Sequence, residues 1–491
     1  MSYDPEKAQD VDYNGHVVNH NAGKNGDYAV EIAPAGNERL VQDAVFGDMS
    51  EDGPNYRAVG PVGSFVLMTK ANVGLGVLSI PFTFMLVGMA PGIILLFVLA
   101  CIVVYCACII GDFKMNHPEV YAIADAGYIV GGVVGREYFG LAFVLFMIFV
   151  AASAMLGTST ALNAVSVHGD PPKTYCTAMW VAIAAVIGFL MASIRTLGKI
   201  AWLGWVGLIS IIAAIMVLTI AVGVQDRPYD ASLKYPTGPW PKDLRITYAA
   251  PMADAMSALN NILFAFAATP TYFGIISEMR DPRLFKRSMI ASMSFVFVLY
   301  AVLGAVVYYF CGQFVSSPAL GSAGPLLKKV SYGIAIPALL VTLCIYSHLA
   351  AKYFFVRILA GSVHLSKPSA VHWGTWIACV FGSIGISYII ASAIPIFSNL
   401  ISLVGALIGP SVCIIPYTIM WYHDNWKLVA PSERTLRSRI MLCFNFLLAV
   451  IGGFLTVAGT YGAIKTIVDD KTRGKPWSCA DNSHSVPVKA D

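Results

Sequence analysis

Two long apolar segments of the sequence are interrupted by residues that break a helix. Gly74, Gly76 and Pro81 interrupt the first segment, and Pro270 stands between two threonines in the second. Proline removes a backbone donor, and glycine costs about 1 kcal/mol at an interior helix position. Each interruption therefore frees backbone N–H and C=O groups, which need other partners where water is absent.

Freed backbone groups of this kind can hold both ends of an amino acid. N–H groups at the start of a half-helix attract a carboxylate, and carbonyl groups at the end of another attract an ammonium. Glycine and proline also serve close helix packing in membranes, which is the alternative reading of either break alone. The residues that we expect to form a substrate site are Asn72, Val73, Gly74, Leu75, Gly76, Phe266, Ala268, Thr269 and Thr271.

The composition requires membrane-spanning elements to position these breaks. Hydrophobic residues make up 57% of the 491 residues and charged residues 12%, against about 25% charged in soluble domains. A soluble multidomain enzyme, a nucleic-acid binder and a disordered scaffold are therefore excluded. A helix needs about 20 apolar residues to cross a bilayer, whereas barrel strands need only about ten. The sequence predicts an all-α integral membrane protein with helices near 62–87, 91–111, 138–165, 175–194, 198–224, 251–277, 288–311, 331–358, 371–392, 394–422 and 436–466.

The breaks fall in the first and the sixth of these eleven predicted helices. Corresponding breaks five helices apart are typical of a five-plus-five inverted repeat with its site at the breaks. Residues 1–61 are polar and acidic, which predicts a disordered tail. The predicted parts are that cytoplasmic tail, repeats at 62–224 and 251–422 joined by an extracellular loop at 225–250, a cytoplasmic loop with helix 11 at 423–466, and an extracellular tail at 467–491.

Basic residues predict the orientation of the chain. Lysines and arginines are about twofold more numerous in the loops on the N-terminal side, so we expect a cytoplasmic N-terminus. An odd number of helices then places the C-terminus outside. The sequence before the first helix shows no basic stretch followed by a short apolar core, so we expect no cleaved signal peptide.

The cysteines and histidines predict no metal site and no cofactor. Most of the 10 cysteines lie inside apolar runs, and the 9 histidines lack the spacing of zinc ligands. Cys176 and Cys311 lie near membrane ends on the predicted outer side, and the sequence leaves open whether they pair.

Two short motifs resemble a known family. Residues 74–81, Gly-Leu-Gly-Val-Leu-Ser-Ile-Pro, resemble the first-helix signature of the amino acid/auxin permease family, and residues 277–282, Ser-Glu-Met-Arg-Asp-Pro, resemble the segment after its sixth helix. The resemblance covers about residues 60–466. It implies the broken-helix fold and the uptake of neutral aliphatic and aromatic amino acids with protons, at the plasma membrane or, in some relatives, the vacuole.

The resemblance also suggests where protons are coupled. Sodium-coupled relatives carry an asparagine four residues before the first glycine of the signature, and here that position is Lys70. Its ammonium could take the cation's place and exchange a proton, or simply snorkel to the interface. Ser347 could face the same cation site, and His348 could relay protons or merely pack between helices.

Other polar residues have weaker assignments. Glu278 and Arg280 could form a cytoplasmic ion-pair gate or a plain solvated helix end. A polar cluster in the third helix predicts hydrogen bonds between helices; its members are Ser153, Thr158, Ser159, Thr160 and Asn163. Acidic residues are almost absent from the predicted helices, which favours neutral substrates.

The leading hypothesis is a proton symporter for neutral L-amino acids that works by alternating access. An amino acid sensor of the same fold, a vacuolar exporter and a channel are the alternatives. An enzyme is not supported, because no predicted helix carries paired carboxylates or a nucleophile–base set.

Overall fold

The computed structural model describes residues 59–169, 173–194, 197–359, 362, 364, 369–469, 475–483 and 485, with three short strands nearer the N-terminus. Those strands, β1 (Val30–Ile32), β2 (Leu40–Asp43) and β3 (Gly47–Met49), form an antiparallel sheet in chain order. They belong to a separate unit, Met1–Tyr56. Of the rest of the tail predicted to be disordered, residues 59–61 are described and lead into the first membrane helix, and the others lie outside the described residues.

The membrane unit is helical throughout the part that the structure describes, which confirms the all-α prediction. Its first half contains α1 (Pro61–Asn72), α2 (Ile80–Val87), α3 (Met89–Asn116), α4 (Ile123–Val165), α5 (Thr177–Ala192) and α6 (Leu197–Val224), followed by the short α7 (Tyr229–Lys234). Its second half contains α8 (Met252–Ala265), α9 (Tyr272–Ser277), α10 (Phe285–Cys311), α11 (Pro325–Ile358), α12 (Ala370–Ala393), α13 (Phe397–Leu407), α14 (Gly409–Cys413), α15 (Ile415–Tyr422) and α16 (Leu436–Asp469).

The described chain contains eight to 10 candidate membrane spans. Eight helices are long and apolar enough to cross a bilayer, and two bent helix pairs raise the number to as many as 10. Helix α5 has only 16 residues, fewer than the roughly 20 that a span usually needs. The predicted count of eleven therefore stays a prediction.

Both predicted breaks are present. Helix α1 ends at Asn72, a 3-10 turn follows at Gly76–Ser79, and α2 continues with a bend of 45°. Pro81 lies in the first turn of α2, where its missing N–H leaves no helical bond unmade. Helix α8 ends at Ala265, and a 3-10 turn at Thr269–Thr271 leads into α9.

A third bend was not predicted from the sequence. The segment Phe397–Leu407 meets Gly409–Lys427 at 52°. Pro410 and Pro416 each fall in the first turn of a new helix, so the segment is divided into α13, α14 and α15. Gly405 on α13 packs against the backbone of Asn260, where a Cβ would overlap the carbonyl group.

The end of the chain folds back over one end of the helices. We call its described residues, 475–483 and 485, the C-terminal strap. Cys479 forms a disulfide with Cys176 at the start of α5. The pairing of Cys176 with Cys311 that the sequence left open does not occur, and Cys311 is a buried free thiol.

Hydrogen bonds fasten the strap to several helices. Asn482 accepts a bond from Asn163 at 2.8 Å and donates one to Ser159 at 3.1 Å. Lys328 at the start of α11 donates to the carbonyl of Ser483 at 2.7 Å. Further bonds join the hydroxyl of Tyr229 to Ser485 and the amide of Trp477 to Ser392. The strap thereby joins α4, α5, α7, α11 and α12.

The polar cluster of the third predicted helix is used differently from expectation. Asn163 does bond across helices, donating to Thr177 on α5 at 2.6 Å. Ser153, Thr158 and Thr160 instead donate to carbonyl groups of their own helix. Within the described chain, Ser159 and Asn163, near the strap, are the members of the cluster whose side chains form hydrogen bonds with other segments.

Replacing Cys479 with serine should lower the free energy of unfolding by about 2–4 kcal/mol, because the strap is then no longer covalently held. Thermal unfolding of the purified protein measures this. Cys176→Ser and the variant with both cysteines replaced should have the same unfolding midpoint as Cys479→Ser, because all three lack the same disulfide. The control is Cys443→Ser, which removes an exposed free thiol. Melting of Cys479→Ser together with this control would contradict the disulfide.

Candidate functional site

A cavity lies between the two helix breaks. Its volume is about 30 Å³, far below the roughly 300–1,000 Å³ of small-molecule sites, so in this conformation the cavity is too small to hold an amino acid. Both breaks contribute to its wall, together with α4 and α11. The lining residues are Lys70, Ala71, Asn72, Gly74, Leu75, Gly76, Phe146, Val150, Phe264, Ala267, Ala268, Thr342 and Tyr346.

The structure brings part of the predicted substrate site to this cavity. Asn72, Gly74, Leu75, Gly76 and Ala268 line it. The first break therefore contributes most of its predicted residues, and the second contributes its backbone near Ala268.

The other predicted substrate residues support the breaks and do not line the cavity. Val73 is fully buried, and the ring of Phe266 packs on that of Tyr300 with centroids 5.4 Å apart. The hydroxyl of Thr271 donates to the carbonyl of Ala268 at 2.7 Å. Thr269 is buried, and its hydroxyl lies 3.5 Å from the carbonyl of Val412.

The two glycines of the first break have different surroundings. A Cβ on Gly76 would lie 2.8 Å from the Cβ of Ala265, so only glycine allows the two breaks to approach this closely. A Cβ on Gly74 would meet nothing within 4 Å. Gly76 thus allows close packing of the first break against Ala265, whereas the absence of a side chain at Gly74 leaves space at the cavity.

The hydroxyl of Tyr300 connects the two breaks. It lies 2.8 Å from the carbonyl oxygen of Asn72 and 3.1 Å from that of Ala265, which are the last residues of α1 and α8. One phenolic hydrogen is therefore shared between carbonyl groups that the breaks have freed. The carbonyl oxygen of Asn72 also accepts from the amide of Gly74 at 2.9 Å, whereas that of Ala265 keeps a second lone pair for another donor. The sequence did not indicate this residue, because a single tyrosine in an apolar helix forms no motif.

The side chain of Asn72 adds a second link. Its amide donates to the hydroxyl of Tyr272 at 2.8 Å and to the carbonyl of Met68 at 2.9 Å. Its Oδ1 is buried and accepts no hydrogen bond from the residues that the structure describes. Asn72 therefore presents an acceptor beside the cavity while its donors hold the break in place.

The three residues predicted to couple transport to protons, Lys70, Ser347 and His348, do not share one site. Lys70 lines the cavity. Its side chain lies against Gly207 on α6, where an added Cβ would be 3.0 Å from the Cε of Lys70. Its ammonium forms no hydrogen bond or ion pair within the described chain. Ser347 is buried, does not line the cavity, and its hydroxyl has no partner among the described residues. His348 contacts the carbonyl of Ala192 at 3.3 Å and packs on the ring of Trp376, also away from the cavity.

The predicted gate shows a backbone contact. Val59 pairs with the segment after α9, donating to the carbonyl of Glu278 and accepting from the amide of Arg280, each at 3.0 Å. No ion pair between Glu278 and Arg280 is present in the described part of the chain, and Arg280 is exposed. Burial raises the pKa of Glu278, and the charge of Lys352 partly opposes that rise. The entry to α1 and the exit from α9 are thus joined through their backbones.

Two helices broken at corresponding points of an inverted repeat, with a cavity between the breaks, define the broken-helix class of secondary transporters. A solved structure of the inward-facing conformation of Mhp1 is similar in fold, with a TM-score of 0.52 and 12% identity over 88% of this chain and 95% of that one.

The chain belongs to the transmembrane amino acid transporter protein family, whose model matches residues 59–465. This confirms the family resemblance of the two motifs, and the family is one of transporters and not of enzymes. An N amino acid transport system protein of Neurospora crassa is 33% identical over 420 residues, covering 84% of this chain and 87% of the relative. A transmembrane transporter of Gibberella moniliformis is 31% identical over 472 residues, covering 93% and 96%.

Replacing Tyr300 with phenylalanine should lower the free energy of unfolding by about 1–3 kcal/mol, because the two buried carbonyl groups lose their shared donor. Thermal unfolding of the purified protein measures the change. Tyr309→Phe, which removes an exposed hydroxyl from the same helix, is the matched control. Equal unfolding midpoints for the two variants would show that the hydroxyl of Tyr300 does not hold the breaks together.

Proposed function

We propose that the protein imports neutral aliphatic and aromatic amino acids by proton symport, through alternating access around the cavity. The observation that carries this proposal is the position of the cavity between two sets of freed backbone groups. An amino acid carries the two charges that such groups bind. The family and the name of the Neurospora relative support amino acids as substrates.

In the proposed complex, backbone groups bind the two charges of the substrate. The 3-10 turn at Gly76–Ser79 supplies N–H groups for the carboxylate. The carbonyl group of Ala265, of which Tyr300 uses only one lone pair, and the unpartnered Oδ1 of Asn72 supply acceptors for the ammonium. Both charges are then neutralised by dipoles, and no charged side chain has to bind them.

The lining of the cavity favours neutral side chains on the substrate. Its wall includes Leu75, Phe146, Val150 and Phe264, and it contains no aspartate or glutamate. A lysine or arginine substrate would bring a second positive charge beside Lys70 with no carboxylate to pair with it. Such an unpaired charge is costly inside a membrane protein.

We further propose that Lys70 couples transport to protons. Lys70 is the one lysine among the residues that line the cavity, and it lies two residues before the end of α1. No carboxylate in the described part of the chain forms an ion pair with it. Loss of its proton would remove a charge from the cavity during each cycle. Ser347 and His348 are weaker candidates for this role, because neither lines the cavity.

We propose a plasma-membrane location, with the N-terminus in the cytoplasm and the strap outside the cell. The disulfide between Cys176 and Cys479 supports the placement of the strap on a non-cytoplasmic side, since cytosolic thiols are kept reduced. The interior of a vacuole would meet the same requirement, so the choice between the two membranes rests on the family resemblance.

The proposed function predicts uptake by the purified chain in proteoliposomes. Labelled leucine and phenylalanine should accumulate when the outside is made acidic, and labelled arginine should not. Accumulation that needs no pH step would contradict proton coupling. Saturable binding without net flux would favour a sensor, and flux that does not saturate would favour a channel.

Replacing Lys70 with methionine should abolish the stimulation of leucine uptake by an acid step, because the variant has no proton to exchange at this position. Uptake at several external pH values measures the effect. Lys465→Met, which removes an exposed lysine at the end of α16, is the control. Normal proton-driven accumulation by Lys70→Met would assign the coupling to another group.

A further inference from the structure

Two histidines and an aspartate meet where α3 and α15 end. Asp424 Oδ1 lies 2.9 Å from His117 Nε2 and 3.0 Å from His423 Nδ1. Each of the three side chains offers one atom that can bind a metal ion, and these three atoms lie within 4.8 Å of one another. His117 and Asp424 are 307 residues apart in sequence, so the spacing along the chain gave no sign of the group.

The spacing of these atoms is close to that around a zinc ion. Zinc bonds to histidine nitrogen and carboxylate oxygen are about 2.0–2.1 Å long, so tetrahedral ligand atoms lie roughly 3.3–3.4 Å apart. The two separations from Asp424 Oδ1 are 2.9 and 3.0 Å. The remaining separation, between the two histidines, is at most 4.8 Å, so the imidazole rings would have to move together to admit an ion. Two imidazoles and one carboxylate are also a common ligand set for zinc at catalytic sites.

Neighbouring groups hold the three side chains in place. Asn116 donates to Asp424 Oδ2 at 2.9 Å, which leaves Oδ1 facing the histidines. Glu119 lies 3.8 Å from His117 Nδ1, on the ring nitrogen that faces away from Asp424. Metal-binding histidines usually have a carboxylate or carbonyl at their second nitrogen, and metal-binding carboxylates are hydrogen-bonded in turn.

The group is shielded from solvent but not sealed. The side chains of His423 and Asp424 are 10% and 8% exposed, and that of His117 is 17% exposed. The ring of Phe113 covers the imidazole of His117, with centroids 4.4 Å apart. A partly buried site of this kind excludes most water while leaving a path for a small ion and one water molecule.

We propose that His117, His423 and Asp424 bind a late divalent transition ion such as Zn²⁺, with a water molecule completing the tetrahedron. The ion would replace the two hydrogen bonds to Asp424 Oδ1 with three metal–ligand bonds. It would thereby join the end of α3, in the first half of the membrane unit, to the end of α15, in the second. The proposal concerns metal binding and does not depend on the substrate or on proton coupling.

The test uses the purified full-length chain without a histidine tag. Co²⁺ should bind with a stoichiometry of one and give the intense visible absorption of tetrahedral cobalt, and Zn²⁺ should remove that absorption. His423→Gln and Asp424→Asn should each weaken Co²⁺ binding by at least about 100-fold, because loss of an outer-shell partner alone costs about 10–100-fold. Asn116→Ala should weaken it by about 10–100-fold.

His168→Gln is the matched control, since His168 is exposed and outside the group. It should bind Co²⁺ as the unmodified chain does. Each variant is first compared with the unmodified chain by thermal unfolding without metal, and His117→Gln replaces any variant that does not fold. Absence of the tetrahedral absorption, or equal binding by His423→Gln, Asp424→Asn and the control, would overturn the proposal. The group would then be a hydrogen-bonded contact between α3 and α15.

Discussion

The membrane unit depends on one constraint, which is that backbone groups freed inside an apolar helix must still be bonded. The hydroxyl of Tyr300 satisfies this constraint for two carbonyl groups, because it donates to those of both Asn72 and Ala265. Because one donor serves both, the ends of α1 and α8 are held at a common point. Gly76 allows the approach, since a side chain there would collide with Ala265. The cavity lies beside these groups, where the carbonyl of Ala265 keeps a lone pair and Oδ1 of Asn72 has no partner within the described chain.

The positions of the two breaks could be predicted because their causes are local. A glycine or proline weakens a helix wherever the chain later folds, so Gly74, Gly76 and Pro270 marked the breaks directly. The bend between α13 and α14 has the same local cause at Gly409 and Pro410 and could have been found in the same way. The approximate lengths of the apolar helices were predictable as well, because a run of apolar residues is also a local property of the sequence.

Contacts between distant residues could not be predicted in this way. Tyr300 lies 228 residues from Asn72, and Cys176 lies 303 residues from Cys479. The direction of a side chain was also hidden. Lys70 faces the cavity, whereas Ser347 and His348 do not line it, and successive residues of a helix point about 100° apart. Helix periodicity alone does not tell which side of α11 meets the cavity.

The strap also has a consequence for how the protein is made. Residues 475–485 leave the ribosome after every helix they fasten, so Asn163 and Lys328 receive these partners only after the helices have been synthesised. Until Cys479 arrives, Cys176 remains a reactive thiol. A chain cut short by stalling or a premature stop codon would keep that thiol exposed. The state of Cys176, paired or free, therefore distinguishes chains that carry the strap from chains that lack it.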